Sequence, residues 1–137
     1  MGQNSTGANG IDAWKQNDCP MNDAHDNLRK DRHVAVVGAG LIGAGWAIVF
    51  ARAGFAVRAF DAHPQTLAGL RTFVANQLET MMTHGLVEDA EEVLARIEVS
   101  ATLERAVSGA GYVQESVLER VDVKRELMQA LATCLDA

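Results

Sequence analysis

Hydrophobic residues in this chain alternate between short continuous runs and stretches in which they recur every three or four positions. Short runs bounded by glycine or polar residues are typical of strands in a parallel sheet, and the three-to-four spacing is typical of helices that bury one face. Their order along the chain predicts an α/β domain. The predicted strands are Val34–Val37, Phe55–Phe60, Ile97–Ser100 and Gly111–Glu115. The predicted single helices are Ala44–Ala53, Thr102–Val107 and Asp122–Leu135. A helical hairpin is predicted to start at Gln65, to break at His84–Gly85 and to end at Arg96.

Residues 1–31 follow neither pattern. They are rich in Gly, Asn, Asp and Ser, and their large apolar residues, Ile11, Trp14, Met21 and Leu28, recur without a period. Such a segment buries too little apolar surface to offset the entropy lost on ordering. We therefore expect a disordered tail over residues 1–31 and a single domain over residues 32–137.

The start of the tail, MGQNST, matches the pattern for N-myristoylation of Gly2. No basic cluster follows to supply the second signal that stable membrane anchoring needs. The segment also lacks the basic start and apolar centre of a secretory signal. These features favour an unmodified Gly2 and no membrane partner.

Charge and cysteine content narrow the class of partner. The 137 residues carry 12 Lys and Arg against 18 Asp and Glu, a net charge of −6, which argues against nucleic acid because its phosphates bind basic surfaces. No apolar run is long enough to span a bilayer. Cys19 and Cys134 lie far apart without metal-ligand spacing, so we expect no disulfide framework, no metal site and a cytoplasmic location.

The most informative stretch is VAVVGAGLIGAG, which starts at Val34. A strand, a glycine turn and a helix in that order are typical of dinucleotide binding. Gly38 would permit the tight turn, Gly40 would let the backbone approach a pyrophosphate, and Gly43 would let the helix pack close to the strand. The free amides at the start of the helix would then bind phosphate oxygens.

Asp61 ends the second predicted strand, shortly after this motif. A carboxylate there can accept hydrogen bonds from both hydroxyls of an adenosine ribose and would repel a 2′-phosphate, so it favours NAD over NADP. The alternative is a solvated aspartate that caps the following helix. His63 is a candidate base, but a loop histidine beside a proline is more often simply exposed.

The predicted hairpin buries apolar residues at helical spacing, among them Leu70, Val74 and Leu78, and we expect Met81 and Met82 to fill the core as well. Its charges are mostly negative. Arg71 and Arg96 stand against Glu79, Glu88, Asp89, Glu91, Glu92 and Glu98. This surface is a poor receptor for a phosphate-rich ligand.

The fourth predicted strand should lie beside the glycine strand, and residues 116–120 should then lie at the edge of the sheet where ligands bind. Glu119 and Lys124 would lie near the nicotinamide half of a dinucleotide. On the residues alone, they are equally well explained as solvated charges.

In order and spacing, VAVVGAGLIGAGW, FDAHP, the helical hairpin and YVQESVLERVDVKRELM resemble the N-terminal domain of the 3-hydroxyacyl-CoA dehydrogenase family, over about residues 33–137. The resemblance implies a Rossmann-type doubly wound parallel sheet with a helical hairpin insertion, truncated before an all-helical C-terminal domain that binds substrate and forms a homodimer. It also implies NAD-dependent oxidation of a 3-hydroxyl group and a role in fatty acid metabolism. The residues that match the cofactor contacts of the family are Gly38, Gly40, Leu41, Ile42, Gly43, Asp61, Glu119 and Lys124.

Trp46, Gln114–Ser116 and Glu119–Arg120 are more similar to the branch that contains lambda-crystallin, L-gulonate 3-dehydrogenase and carnitine dehydrogenase. The acyl-CoA enzymes usually carry a serine and lysines on the hairpin for the coenzyme A phosphates. Gln77 and His84 stand near those positions here. The resemblance therefore favours a free 3-hydroxy acid over an acyl-CoA as the small-molecule substrate.

The catalytic serine, histidine and asparagine of the family follow the next strand, and this sequence ends before it. No histidine here matches the family's catalytic one, so we assign no catalytic residue. We expect a cofactor-binding part that is inactive alone. The alternative is a stand-alone NAD(H)-binding sensor that reports the redox state to a partner protein.

Overall fold

The computed structural model describes residues 31–135. Gly2, Cys19 and the predicted tail up to residue 30 lie outside this range. Within it, four parallel strands form one sheet, and five helices connect or follow them. The strands are β1 (Val34–Val37), β2 (Val57–Phe60), β3 (Ile97–Val99) and β4 (Tyr112–Glu115), and the helices are α1 (Leu41–Arg52), α2 (Pro64–Thr83), α3 (Ala90–Ala95), α4 (Leu103–Val107) and α5 (Val121–Leu135).

Strand β1 is buried on both faces of the sheet. Val34 and Val36 belong to one core cluster, together with residues of α1, α2 and α3. Ala35 and Val37 belong to a second cluster, with residues of α4 and α5. Because alternate residues of a strand point to opposite faces, helices cover both sides of the sheet. The predicted doubly wound fold is confirmed.

The order of the strands is β3-β2-β1-β4. Strands β2 and β3 lie on one side of β1 and β4 lies on the other, so the strand order reverses between β1 and β4. Val37 at the end of β1 lies between Phe60 of β2 and Glu115 of β4. The predicted pairing of the fourth strand with the glycine strand is therefore confirmed. In open parallel sheets, ligands bind in the crevice that such a reversal leaves at the carboxyl ends of the strands.

The predicted hairpin is present as α2 and α3. Leu70, Val74 and Leu78 of α2 are at most 2% exposed, and Asp89 caps α3 by accepting a hydrogen bond from the amide of Glu92. Met81 packs against the core as predicted, but Met82 is 46% exposed, so its assignment to the core was wrong.

Two boundaries differ from the prediction for identifiable reasons. Helix α1 begins at Leu41 rather than Ala44, because Gly40 has the extended conformation of an N-cap and its carbonyl already accepts from Ala44. Strand β2 begins at Val57 rather than Phe55, because the amide of Phe55 donates to the carbonyl of Phe50 and so completes the end of α1.

Candidate functional site

Three backbone segments meet at the glycine turn between β1 and α1. Gly38 has φ +96°, a conformation that favours glycine, and a β-carbon there would lie 2.6 Å from the carbonyl carbon of Ser116. A β-carbon on Gly43 would overlap the carbonyl oxygen of Gly38. The first turn of α1 therefore rests directly on the glycine turn, and the turn rests on the loop that follows β4.

Gly40 faces open space, since a β-carbon built on it would meet no atom within 4 Å. It is the N-cap of α1, where no side chain caps the helix and the first turn holds no acidic residue. The first amides of a helix lack internal acceptors and carry a partial positive charge. By contrast, Asp89 and Thr102 cap α3 and α4. The start of α1 thus fits an anion that approaches Gly40.

A cleft of about 610 Å³ opens at the carboxyl ends of β1, β2 and β4. Gly38, Gly40 and Asp61 lie on its wall, while Leu103 of α4 and Leu127 of α5 contribute an apolar side. Leu41 and Ile42, directly after Gly40, are 76% and 70% exposed. The size and mixed lining suit an organic ligand with polar and apolar parts. A second cavity, of about 530 Å³ between α2 and α3, shares no lining residue with this cleft.

The Asp61 carboxylate joins the end of β2 to the glycine turn. Its Oδ2 accepts from the amide of Ala39 at 2.8 Å, and its Oδ1 accepts from the amide of His63 at 2.8 Å. The side chain is 13% exposed, and His63 rather than Asp61 is the N-cap of α2. The alternative of a solvated helix cap is therefore wrong. Each carboxylate oxygen can still accept a further hydrogen bond from the cleft.

The His63 ring lies beside this carboxylate, with Nδ1 3.3 Å from Asp61 Oδ1. The ring is 78% exposed, in keeping with the expectation of an exposed loop histidine. It lines the cleft on the β2 side.

Glu119 and Lys124 lie close to each other, and although neither lines the cleft, they directly follow Leu118 and Val123, which do. Lys124 Nζ lies 3.0 Å from Glu119 Oε1 and 3.4 Å from Glu115 Oε2. The hydrogen bond to Glu119, followed by that to Glu115, raises the pKa of Lys124 above its ordinary value, against an opposing effect of burial. Lys124 is therefore a cation at neutral pH.

The sequence placed Ser116 at the ligand-binding edge of the sheet, but it assigned no contact to Ser116 or to Glu115. The Ser116 hydroxyl is buried and has no hydrogen-bond partner among the described residues, although Ser116 lines the cleft and adjoins the glycine turn. Glu115 does not line the cleft, but its side chain reaches Lys124. The signal for both residues in the sequence was their position at the carboxyl end of a strand beside the glycine strand.

Within residues 31–135, no three metal-ligating side chains cluster together, and Cys134 is a free thiol. None of the helices in this part of the chain combines the length and apolar character needed to cross a bilayer.

The fold and the cleft define a dinucleotide-binding α/β domain of the Rossmann class. The model of one family, the NAD-binding domain of 3-hydroxyacyl-CoA dehydrogenase, matches residues 33–137. The chain belongs to this family, and NAD is the cofactor that the match implies.

Relatives and solved structures agree with this assignment. L-carnitine dehydrogenase from Streptomyces griseus is 42% identical over 100 residues, which cover 73% of this chain and 29% of the relative. Lambda-crystallin from Oryctolagus cuniculus is 33% identical over 106 residues, covering 75% of this chain and 33% of that protein. The structure of 3-hydroxybutyryl-CoA dehydrogenase from Escherichia coli K12 matches with a TM-score of 0.68 and 31% identity, covering 75% of this chain and 22% of the other.

The packing of the glycine turn is testable with two substitutions in the same helix. Gly43→Ala should destabilise the fold by about 3 kcal/mol or more, because its β-carbon would overlap a backbone oxygen that no side-chain movement can displace. Gly45→Ala, where a β-carbon meets nothing within 4 Å, should stabilise the fold by about 0.5–1 kcal/mol. Urea unfolding of both variants measures the difference, and equal midpoints would contradict this account of the turn.

Proposed function

We propose that this chain is the NAD-binding part of an oxidoreductase that oxidises the 3-hydroxyl group of a free 3-hydroxy acid. The chain spans about a third of the length of the curated relatives it matches. Substrate binding and turnover are accordingly proposed for a longer protein. The observation that carries the proposal is the uncapped start of α1 at Gly40, which faces the same cleft as the Asp61 carboxylate.

The residues of the cleft fit the parts of NAD in turn. The backbone of Gly40 and the amides of Leu41, Ile42 and Gly43 would hold the pyrophosphate, since free helix amides bind phosphate oxygens. Asp61 would accept hydrogen bonds from the adenosine ribose, and its charge would exclude the 2′-phosphate of NADP. Glu119 and Lys124 would contact the nicotinamide half. Bound NAD supplies the acceptor for the hydride that leaves the substrate carbon.

The hairpin supports a substrate without coenzyme A. Both of its arginines are engaged: Arg71 donates to the carbonyl of Ile97 at 2.8 Å, and Arg96 donates to the carbonyl of Ala51 at 3.0 Å and to Glu92. The remaining charges on the hairpin are carboxylates that would repel phosphates. Three of the relatives are named L-carnitine dehydrogenase, a name that does not specify a coenzyme A thioester.

The proton acceptor for the substrate hydroxyl is proposed to come from the part of the longer protein that follows this domain. A general base must lie within hydrogen-bond reach of the hydroxyl. His33 bonds to the carbonyl of Ala106 and His84 to that of Thr80, and neither lines the cleft. His63 does line it, but beside Asp61, where the adenosine ribose is proposed to bind. We further propose that the longer protein forms the homodimer and that it works in the cytoplasm.

Gly40→Ala tests the pyrophosphate contact without disturbing the fold. The added β-carbon would meet no protein atom, but it would stand where the ligand approaches the backbone. We expect the dissociation constant for NAD to rise about five- to a hundredfold, the range for one misplaced methyl group. Isothermal titration of NAD into this variant and into Gly45→Ala gives the comparison, and Gly45→Ala should bind NAD normally. Equal affinity in both variants would remove Gly40 from the site.

Asp61→Asn tests the choice between NAD and NADP. The amide keeps the shape of the side chain but loses the charge, and its single oxygen can accept from only one of the amides of Ala39 and His63. NAD affinity should therefore fall about tenfold, while NADP affinity should fall less, because the charge that repels its 2′-phosphate is gone. Asp89→Asn, which removes the same charge at the capped start of α3, should leave both affinities unchanged. Fluorescence titration with NADH and NADPH measures the ratio. An unchanged preference in Asp61→Asn would separate this carboxylate from the ribose.

The proposed substrate class is tested with the longer protein. With NAD present, we expect kcat/KM for a free 3-hydroxy acid such as L-carnitine to exceed that for a 3-hydroxyacyl-CoA, because no free cation on the hairpin would offset the coenzyme A phosphates. The 137-residue chain alone should bind NADH and reduce no NAD. A preference for the thioester would contradict the substrate class, and turnover by the chain alone would contradict the location of the base.

A further inference from the structure

We propose that Glu115 is a positioning residue, which holds Lys124 beside the cleft so that Glu119 stays free to contact the cofactor. This inference rests on the proposed function, in which Glu119 and Lys124 contact NAD. The glycine motif does not require the Glu115 carboxylate, and neither does the pairing of Glu119 with Lys124. The inference gives this carboxylate a role.

The side chain of Glu115 is held in place more firmly than those of Lys124 and Glu119. It is the last residue of β4, its position is set by pairing opposite Val37 of buried β1, and its side chain is 19% exposed. Its Oε1 accepts from the amide of Val117 at 2.7 Å, and its Oε2 lies 3.4 Å from Lys124 Nζ. One carboxylate therefore connects the end of a strand, the loop against Gly38 and the first turns of α5.

Glu119 offers no such anchor. Its side chain is 91% exposed on the loop before α5, although its Oε1 is the nearer partner of Lys124 at 3.0 Å. Exposed ion pairs hold their side chains weakly, because solvent screens the attraction and the two chains lose rotamer freedom. A ligand hydroxyl that engages Glu119 would therefore compete with Lys124 for the same carboxylate.

The two carboxylates then have separate tasks. When Glu119 turns to a ligand, Lys124 remains paired with Glu115 and keeps its position at the edge of the cleft. The rotamer freedom of the lysine is already lost before binding, so the cofactor does not have to order it. Without Glu115, Lys124 would follow Glu119 or turn into solvent.

Glu115→Gln separates the ion pair from the loop contact. The amide oxygen of glutamine can still accept from Val117, while the attraction to Lys124 is lost. We expect NAD affinity to fall about two- to tenfold, the cost of ordering one long side chain on binding. In a Lys124→Met background, the same substitution should have no further effect, because Glu115 acts through Lys124.

The control is Asp122→Asn, which removes the exposed ion pair between the first turn of α5 and Arg120 on the preceding loop and should leave NAD affinity unchanged. A second readout is the pKa of the Lys124 ammonium, followed by NMR titration. That pKa should fall in Glu115→Gln, since one of the two carboxylates that raise it is gone. A Glu115 side chain that holds only the loop, through the amide of Val117, would leave this pKa unchanged.

The outcomes separate this inference from the proposed function. If the unsubstituted chain fails to bind NAD, the proposed function is overturned. If the chain binds NAD but Lys124→Met binds equally well, the inference and the proposed Lys124 contact are overturned, while the NAD-binding function is kept. If Glu115→Gln weakens binding as much in the Lys124→Met background as alone, only the inference is overturned. Loss of the effect in the Lys124→Met background supports it.

Discussion

Direct contact between backbones at the start of α1 is the constraint on which the rest of the structure depends. The turn after β1, the first turn of α1 and the loop after β4 approach so closely that no β-carbon fits on Gly38 or Gly43. Asp61 holds the same turn from the side of β2 through the amide of Ala39. Strand order and backbone packing thus form the cleft, and side chains such as Asp61 and Leu127 complete its walls.

This construction explains how an acidic chain can present a surface suited to phosphate. With a net charge of −6, the protein has no excess of cations to attract an anion. The attraction at Gly40 comes instead from helix amides that no side chain neutralises. The Asp61 carboxylate lies beside this point, where it accepts from the amide of Ala39 and suits hydroxyl donors. The wall of the cleft therefore combines a helix start suited to a phosphate with a carboxylate suited to a sugar.

The sequence predicted those parts of the molecule that local signals encode. Glycine spacing identified the β1 turn, and apolar periodicity identified the four strands and the hairpin. The pairing of Glu115 with Lys124, the unpartnered hydroxyl of Ser116 and the apolar wall at Leu103 and Leu127 were not predictable. They depend on how α5 packs beside α4 on one face of the sheet and on the directions of single side chains, which no short window of sequence contains.

The cavity within the hairpin and the cleft are separate in the fold, and α2 lines the cleft only at Thr66 near its start. The cavity between α2 and α3 shares no lining residue with the cleft, and the two arginines of the hairpin bond to backbone carbonyls of the core rather than facing a ligand. Replacing the exposed carboxylates of the hairpin by lysine would leave the glycine turn untouched. The charges on the surface of the hairpin can therefore change while the nucleotide cleft, fixed by backbone contacts, stays the same.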